Sequence, residues 1–177
     1  MPLGRVIRPS GHQILVEVEG QQIQCLVRGK LKAGRRRQIG VAVAGDLVDV
    51  TLGGDGGVID AVHPRTSWIS RSASGGRDLE QVIAANLDWL CIVVAVAQPV
   101  LRPGFIDRVL VAAHMGKLSP LLCFNKIDLD PDFADSEVVQ TYRSLGFPVH
   151  VLSAESGAGV EALLQFISGG ISAFVGQ

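Results

Sequence analysis

From Ile83 onward the chain alternates between short unbroken apolar runs and stretches of helical periodicity, and few folds accept that pattern. Leu90 to Ala97 is apolar throughout, as expected of a strand covered on both faces of a parallel sheet. Pro103 to Met115 puts Phe105, Ile106, Val109, Leu110 and Ala113 on one helical stripe, with Pro103 near the start. A second apolar run, Leu121 to Phe124, follows. Asp135 or Ser136 is the expected cap of a helix through Val138, Val139, Tyr142 and Leu145 that Gly146 stops. Val149 to Leu152 reads as the next strand. Val160, Leu163, Leu164 and Ile167 mark a last helix, closed by Gly169-Gly170, and a strand at 172–175 ends the series. Strand and helix in strict alternation predict a parallel α/β sheet over 87–177.

The first 66 residues obey a different grammar. Short alternating runs recur at Val6-Ile7, Ile14 to Val18, Ile23 to Val27, Val41 to Val43, Leu47 to Leu52 and Val58 to Val62, separated by turn-rich punctuation. So many short strands in so few residues predict a small closed barrel, with the OB-fold as the expected form. Gly53-Gly54-Asp55-Gly56-Gly57 has neither a following helix nor a lysine, so it reads as a hairpin loop and not as a phosphate cradle. Residues 67–86 are expected to be a connector, rich in Ser, Arg and Gly as far as Arg77, with Trp68 as an anchor between the two halves.

The polar tetrapeptide Asn125-Lys126-Ile127-Asp128 follows the strand 121–124. Ligands of open α/β sheets bind just beyond the carboxyl ends of such strands. A carboxylate there accepts two parallel hydrogen bonds from guanine N1–H and N2–H₂, whereas adenine N1, an acceptor, would repel it. The Lys stem can lie over the base while the Asn amide ties the turn to its neighbours. This is the N-K-x-D guanine motif of GTP-binding proteins; four residues alone read equally as a solvated turn. After one more helix and strand comes Ser153-Ala154, where GTPases bring a backbone N–H to guanine O6 and need a small residue for close approach. Together these designate Asn125, Lys126, Asp128, Ser153 and Ala154 as the candidate guanine site. No G-x-x-x-x-G-K-[ST] cradle precedes Asn125: Gly29-Lys30 and Gly116-Lys117 are both followed by Leu, and no D-x-x-G occurs.

Arg28, Lys30, Lys32, Arg35, Arg36 and Arg37 fall in one connection of the barrel, without an intervening acid. Such a loop neutralises phosphates and releases their counterions, so it is a candidate RNA-binding segment, although a run of charge is as readily a solvated loop. Arg65, Arg71 and Arg77 are candidates to extend it. No Phe, Tyr or Trp precedes Trp68, which favours contact with the nucleic-acid backbone over base readout. The whole chain is otherwise near neutral, with 16 Lys plus Arg against 17 Asp plus Glu, and 47% of its residues are hydrophobic. That balance fits a globular protein of one ordinary domain or two small ones. Its longest apolar run is too short to cross a bilayer and no leader pattern opens it, so a cytoplasmic protein without membrane contact is expected. Cys25, Cys91 and Cys123 stand singly in apolar stretches as core thiols, with no metal-ligand spacing.

The barrel, Ala84-Ala85-Asn86-Leu87-Asp88, Phe105-Ile106-Asp107-Arg108, Asn125-Lys126-Ile127-Asp128 and Phe174-Val175-Gly176-Gln177, in that order, resemble the RsgA family, also called YjeQ or EngC. These are circularly permuted GTPases stimulated by the small ribosomal subunit. The resemblance implies GTP or GDP as ligand, a role in late maturation of the small subunit, rRNA contact through the barrel, and Gly176 as the first glycine of a phosphate loop. Family members continue through that loop, its switch segments and a zinc-binding domain. Mg²⁺ and a structural Zn²⁺ are therefore expected of a full-length, monomeric member. For residues 1–177 alone the expectation is a partial GTPase domain that does not hydrolyse GTP and whose exposed sheet edge invites self-association. The alternative is a non-catalytic RNA-binding OB module carried with an α/β scaffold. A dinucleotide-binding enzyme is disfavoured, because no G-x-G-x-x-G follows any strand.

Overall fold

The computed structural model describes residues 1–10, 13–29, 41–54, 56–72 and 80–176. They form two compact units, Met1–Asn86 and Leu87–Gln177.

In the first unit, β1 (Leu3–Ser10), β2 (Gln13–Val18), β3 (Gln21–Val27), β4 (Leu47–Gly53) and β5 (Gly56–Val62) close into a barrel of order β1-β2-β3-β5-β4. All its ladders are antiparallel except β3 with β5. That is the OB arrangement the short alternating runs predict. Alternation sends Val6, Ile14, Val16, Val18, Cys25, Val48, Val50 and Ile59 into one buried core. As expected, the glycine-rich stretch falls where β4 and β5 pair as a hairpin, with Gly53 opposite Gly56. Residues 41–43, expected as a strand, are irregular, yet Ala42 joins the barrel core and Val43 is buried outside it.

The stretch 67–86 is more than a connector. β6 (Trp68–Ser72) and β7 (Glu80–Ala85) pair antiparallel. This hairpin joins the first unit by a bridge between Ala44 and Ala84 and by Ala85 N–H donating to Ala44 O at 2.9 Å. Gly45 makes the approach possible: its φ is +87°, and a Cβ there would stand 1.9 Å from the Ala85 carbonyl oxygen. Trp68 accordingly packs on Val43, Val82 and Ala85, so it anchors the hairpin within its own unit.

In the second unit, β8 (Trp89–Ala95), β9 (Ser119–Asn125), β10 (Val149–Val151) and β11 (Ser172–Gly176) form an all-parallel sheet of order β10-β9-β8-β11. The connections carry α1 (Pro103–Met115), α2 (Glu137–Ser144) and α3 (Val160–Ile167). Ser136 caps α2 by accepting the Val139 N–H at 3.4 Å, and Gly146, at φ +85°, ends the run. One sheet face buries Cys91, Leu121 and Cys123 under Leu163 of α3, with Trp89, Val93, Val160 and Ile167 around them. On the other face Phe124 meets Phe133 and Tyr142, with ring centres 5.4 and 6.4 Å apart. Leu164, expected in the apolar stripe of α3, is exposed, while Phe166 turns toward Trp89 and His150 at 4.8 and 5.2 Å.

Candidate functional site

Because β8, β9 and β11 run parallel, their carboxyl ends share one edge of the sheet. Asn125, the last residue of β9, lies opposite Ala95; Gly176, the last of β11, lies opposite Val93. Two strand spacings separate β11 from β9, roughly 10 Å. A ligand lying over β8 along this edge would thus reach both Asn125 and Gly176. Gly176 must be small where it stands, since a Cβ would come within 2.6 Å of the Val93 carbonyl.

Around Asn125 the backbone is tightly tied. Its carbonyl accepts Val96 N–H at 2.9 Å, and its Oδ1 accepts both Lys126 N–H at 2.8 Å and Ala154 N–H at 2.9 Å. One side chain therefore holds the loop after β9 against the loop after β10. Lys126 adopts φ +67°, which turns the chain into the short 3₁₀ helix Ile127–Leu129. Its ammonium donates to the Gln98 carbonyl in the loop after β8. Asp128, within that 3₁₀ turn, is exposed, and no partner engages its carboxylate among the described residues.

The second loop is organised by Ser153, which is fully buried. Its N–H donates to Ala158 O at 2.8 Å, its carbonyl accepts Gly157 N–H at 2.9 Å, and its hydroxyl accepts Ser156 N–H at 3.1 Å. Gly159 (φ +75°) returns this loop so close to β10 that a Cβ would sit 2.6 Å from Val151 O. Ala154 is exposed beside Asn125. Its N–H points at Asn125 and not outward, so a base oxygen there would have to share that proton. The structure thus brings Asn125, Lys126, Asp128, Ser153 and Ala154 to two adjoining loops, with Gly176 on the same edge.

The basic segment fares differently. Arg28 is more than half exposed but already pairs with Asp60 at 2.6 Å. Lys30, Lys32, Arg35, Arg36 and Arg37 lie outside the described residues, as does Arg77. Arg65 does not extend a basic surface: it forms a two-pronged ion pair with fully buried Asp46, at 2.7 and 2.8 Å. Arg71 donates to Gln81 Oε1 at 3.0 Å.

Several contributors had no role in the sequence reading. Asn86 accepts Thr66 N–H and donates to Gly45 O. Asp88 accepts Ile171 N–H at 2.8 Å, fixing the start of β11 beside β8. Asp107 accepts the Tyr142 hydroxyl at 2.9 Å and links α1 to α2; burial first, then this bond, pushes the phenol up to about 12. The only signal of these residues was their place within the quoted motifs, which carries no partner. Gln98 was foreshadowed solely by its position just past the β8 run. Burial lowers the His150 imidazole, and raises the Cys25 thiol. A hydrogen bond that Cys123 donates to Cys91, with burial, raises the Cys123 thiol; all three cysteines are free and buried. Among the described residues no group of three or more His, Cys, Asp or Glu could hold a metal ion, and no helix is long and apolar enough to cross a membrane.

Comparison with known proteins gives a consistent result. A family model for the RsgA GTPase matches residues 62–177. The small ribosomal subunit biogenesis GTPase RsgA of Pseudomonas putida is 39% identical over 184 residues, covering 99% of this chain and 50% of the relative. That of Gemmatimonas aurantiaca is 34% identical, covering 90% and 53%. The crystal structure of YjeQ from Thermotoga maritima superposes with a TM-score of 0.79 at 28% identity, covering 99% of this chain and 60% of that one. YloQ, a circularly permuted GTPase, gives 0.73 at 25%, covering 100% and 60%. The chain spans about half the length of the curated relatives it matches.

Proposed function

As the chain belongs to the RsgA GTPase family, we propose that its second unit binds the guanine base of GTP or GDP and its first unit contacts ribosomal RNA, in a cytoplasmic protein that serves biogenesis of the small ribosomal subunit. The observation that carries the guanine reading is the exposed, unpartnered Asp128 carboxylate at the carboxyl end of β9. Two charge-assisted hydrogen bonds from N1–H and N2–H₂ would satisfy it. Asn125 positions the loops, the Lys126 stem lies along the base, and the Ser153-Ala154 turn gives the small wall beside it. Gly176, across β8, marks the side on which phosphates would lie. The small subunit comes in as partner because the relatives are named for its biogenesis.

Hydrolysis of GTP is the activity that membership of the family supports. The residues described here include no set to grip phosphates or Mg²⁺, so no step of that reaction is assigned to them. The 177-residue polypeptide is expected to bind guanine nucleotide without turning it over. The test is a titration with fluorescent GDP, competed by unlabelled GDP or ADP. Displacement by GDP and not by ADP supports the reading, and equal displacement by the two refutes it.

A further inference from the structure

The second unit carries a groove of about 360 Å³ between α1 and α2, on the sheet face where Phe124 meets Tyr142. All of its lining residues are among the described ones. α1 supplies Pro103 and Asp107, one helical turn apart, and α2 supplies Glu137, Val138, Tyr142 and Leu145. Tyr142 ties the two helices together, its hydroxyl donating to Asp107 Oδ1 at 2.9 Å. The other Asp107 oxygen and the Glu137 carboxylate have no partner among the described residues. Glu137 opens α2 and Leu145, 64% exposed, follows its last residue, so the two stand roughly 12 Å apart along the helix axis.

Charge and shape together select one class of occupant. Both charged side chains that line the groove are acidic. The approach to it is acidic as well: from Ile127 to Tyr142 stand Asp128, Asp130, Asp132, Asp135 and Glu137 without one Lys, Arg or His. Arg102, Arg108 and Arg143 adjoin lining residues in sequence, but none is part of the lining, since neighbouring positions on a helix point about 100° apart. A chain of phosphates would be repelled here, so the groove does not serve RNA. A metal ion is equally ill served, because no described group of three His, Cys, Asp or Glu could hold one. A guanidinium suits the pair, since its planar fork of donors meets carboxylates at good geometry. Pro103, Val138 and Leu145 then cover its apolar stem and a neighbouring aliphatic side chain. The span of roughly 12 Å is the reach of about four residues of extended chain.

We propose that the groove between α1 and α2 docks a short basic segment of another protein. An arginine of that segment sits against Asp107 and Glu137, and an aliphatic side chain beside it rests on Leu145. This gives the second unit a protein-binding surface apart from its guanine loops, and it depends on neither the guanine nor the RNA reading.

The test is fluorescence anisotropy of the 177-residue chain with three labelled peptides of about ten residues: alternating Arg and Leu, alternating Arg and Ser, and alternating Glu and Leu. The Arg/Leu peptide should bind about tenfold more tightly than the Arg/Ser peptide, and the Glu/Leu peptide should not bind. Asp107→Asn and Glu137→Gln should each weaken the Arg/Leu peptide about threefold, and together about tenfold. Leu145→Ala should remove its advantage over the Arg/Ser peptide. Asparagine at 107 still accepts the Tyr142 hydroxyl, and Glu137 and Leu145 are exposed, so the fold is kept. Glu161→Gln, on α3 and outside the groove, should change nothing. Binding of none of the peptides, equal binding of the Arg/Leu and Arg/Ser peptides, or affinity that survives the groove substitutions overturns the proposal. So does a dimer in sedimentation velocity that Asp107→Asn with Glu137→Gln abolishes, since the groove would then hold a second copy of this chain.

Discussion

In Met1–Asn86 the carboxylates of Asp46, Asp49 and Asp60 each face a basic side chain: the Arg65 guanidinium at 2.7 Å, the His63 imidazole at 2.9 Å and the Arg28 guanidinium at 2.6 Å. In Leu87–Gln177 no ion pair occurs among the described residues, and the carboxylates are used singly. Asp88 takes one N–H and Asp107 one hydroxyl, whereas Asp128 takes nothing. The contrast separates structural from candidate ligand-binding charge. A carboxylate matched at short range within its own unit stabilises that unit. One held by the backbone at the end of a parallel strand, with its lone pairs open, is available to a ligand.

The strongest challenge to this contrast is Asp46→Ala. It would leave the Arg65 side chain, 10% exposed, without its partner and strip Val43 N–H of its acceptor at 2.8 Å. We expect a loss of about 3–5 kcal/mol in urea unfolding; a loss below about 1 kcal/mol would mean the pair is not structural. Asp128→Asn should do the reverse. Guanine would lose an acceptor, while xanthine, which carries O2 in place of the 2-amino group, would meet the new amide donor. GDP affinity should fall about 100-fold and xanthosine diphosphate affinity rise, with unfolding unchanged within about 0.5 kcal/mol. A stability loss as large as that of Asp46→Ala would erase the distinction between the units.

Smaller effects sharpen it. Tyr142→Phe removes the hydroxyl that Asp107 accepts and should reduce stability by about 1 kcal/mol near neutral pH. The phenol is raised in the folded state to about 12 from its ordinary value of 10.0, so folding favours its protonated form. Its contribution is whole below pH 10 and fades as pH climbs from 10 toward 12, so the difference between wild type and Tyr142→Phe should shrink in that window. A difference that stays constant through pH 12 contradicts the assigned bond. His150 gives the smallest change expected. Burial lowers its imidazole, so the stability it confers is present above the ordinary imidazole value and declines as pH falls below it. His150→Phe, which keeps a ring against Phe166, should flatten the acid limb of the stability profile by a few tenths of a kcal/mol or more.

The order of elements in the second unit was legible in the sequence because its signals are local. The run 90–97 supplied β8 from its second residue to Ala95, Ser136 caps α2, and Pro103 and Gly146 stand where a helix begins and where one stops. Leu164 misled, because a short helix with apolar residues on adjacent positions has two possible stripes, and the sheet beneath Leu163 selects one. The hairpin at 68–85 was hidden because neither strand is continuously apolar; its partner surface, Val43 to Gly45, comes from a distant segment. The candidate guanine residues were named from motif spacing. The ties from Asn125 to Ala154 and from Lys126 to Gln98 span 29 and 28 residues and left no trace in that spacing.

By itself, then, the sequence determined the kind of each unit and the residue types at the ends of its strands, since hydrophobic period, caps and turn residues act within a few positions along the chain. Only the tertiary structure decided which charges are free and which surfaces are concave. Arg65 meets Asp46 across 19 residues, and a groove of about 360 Å³ on the outer wall of the barrel is lined by residues of β2, β3, β4 and β5. Pairing and shape depend on what the fold brings alongside, and that information belongs to no single stretch of the chain.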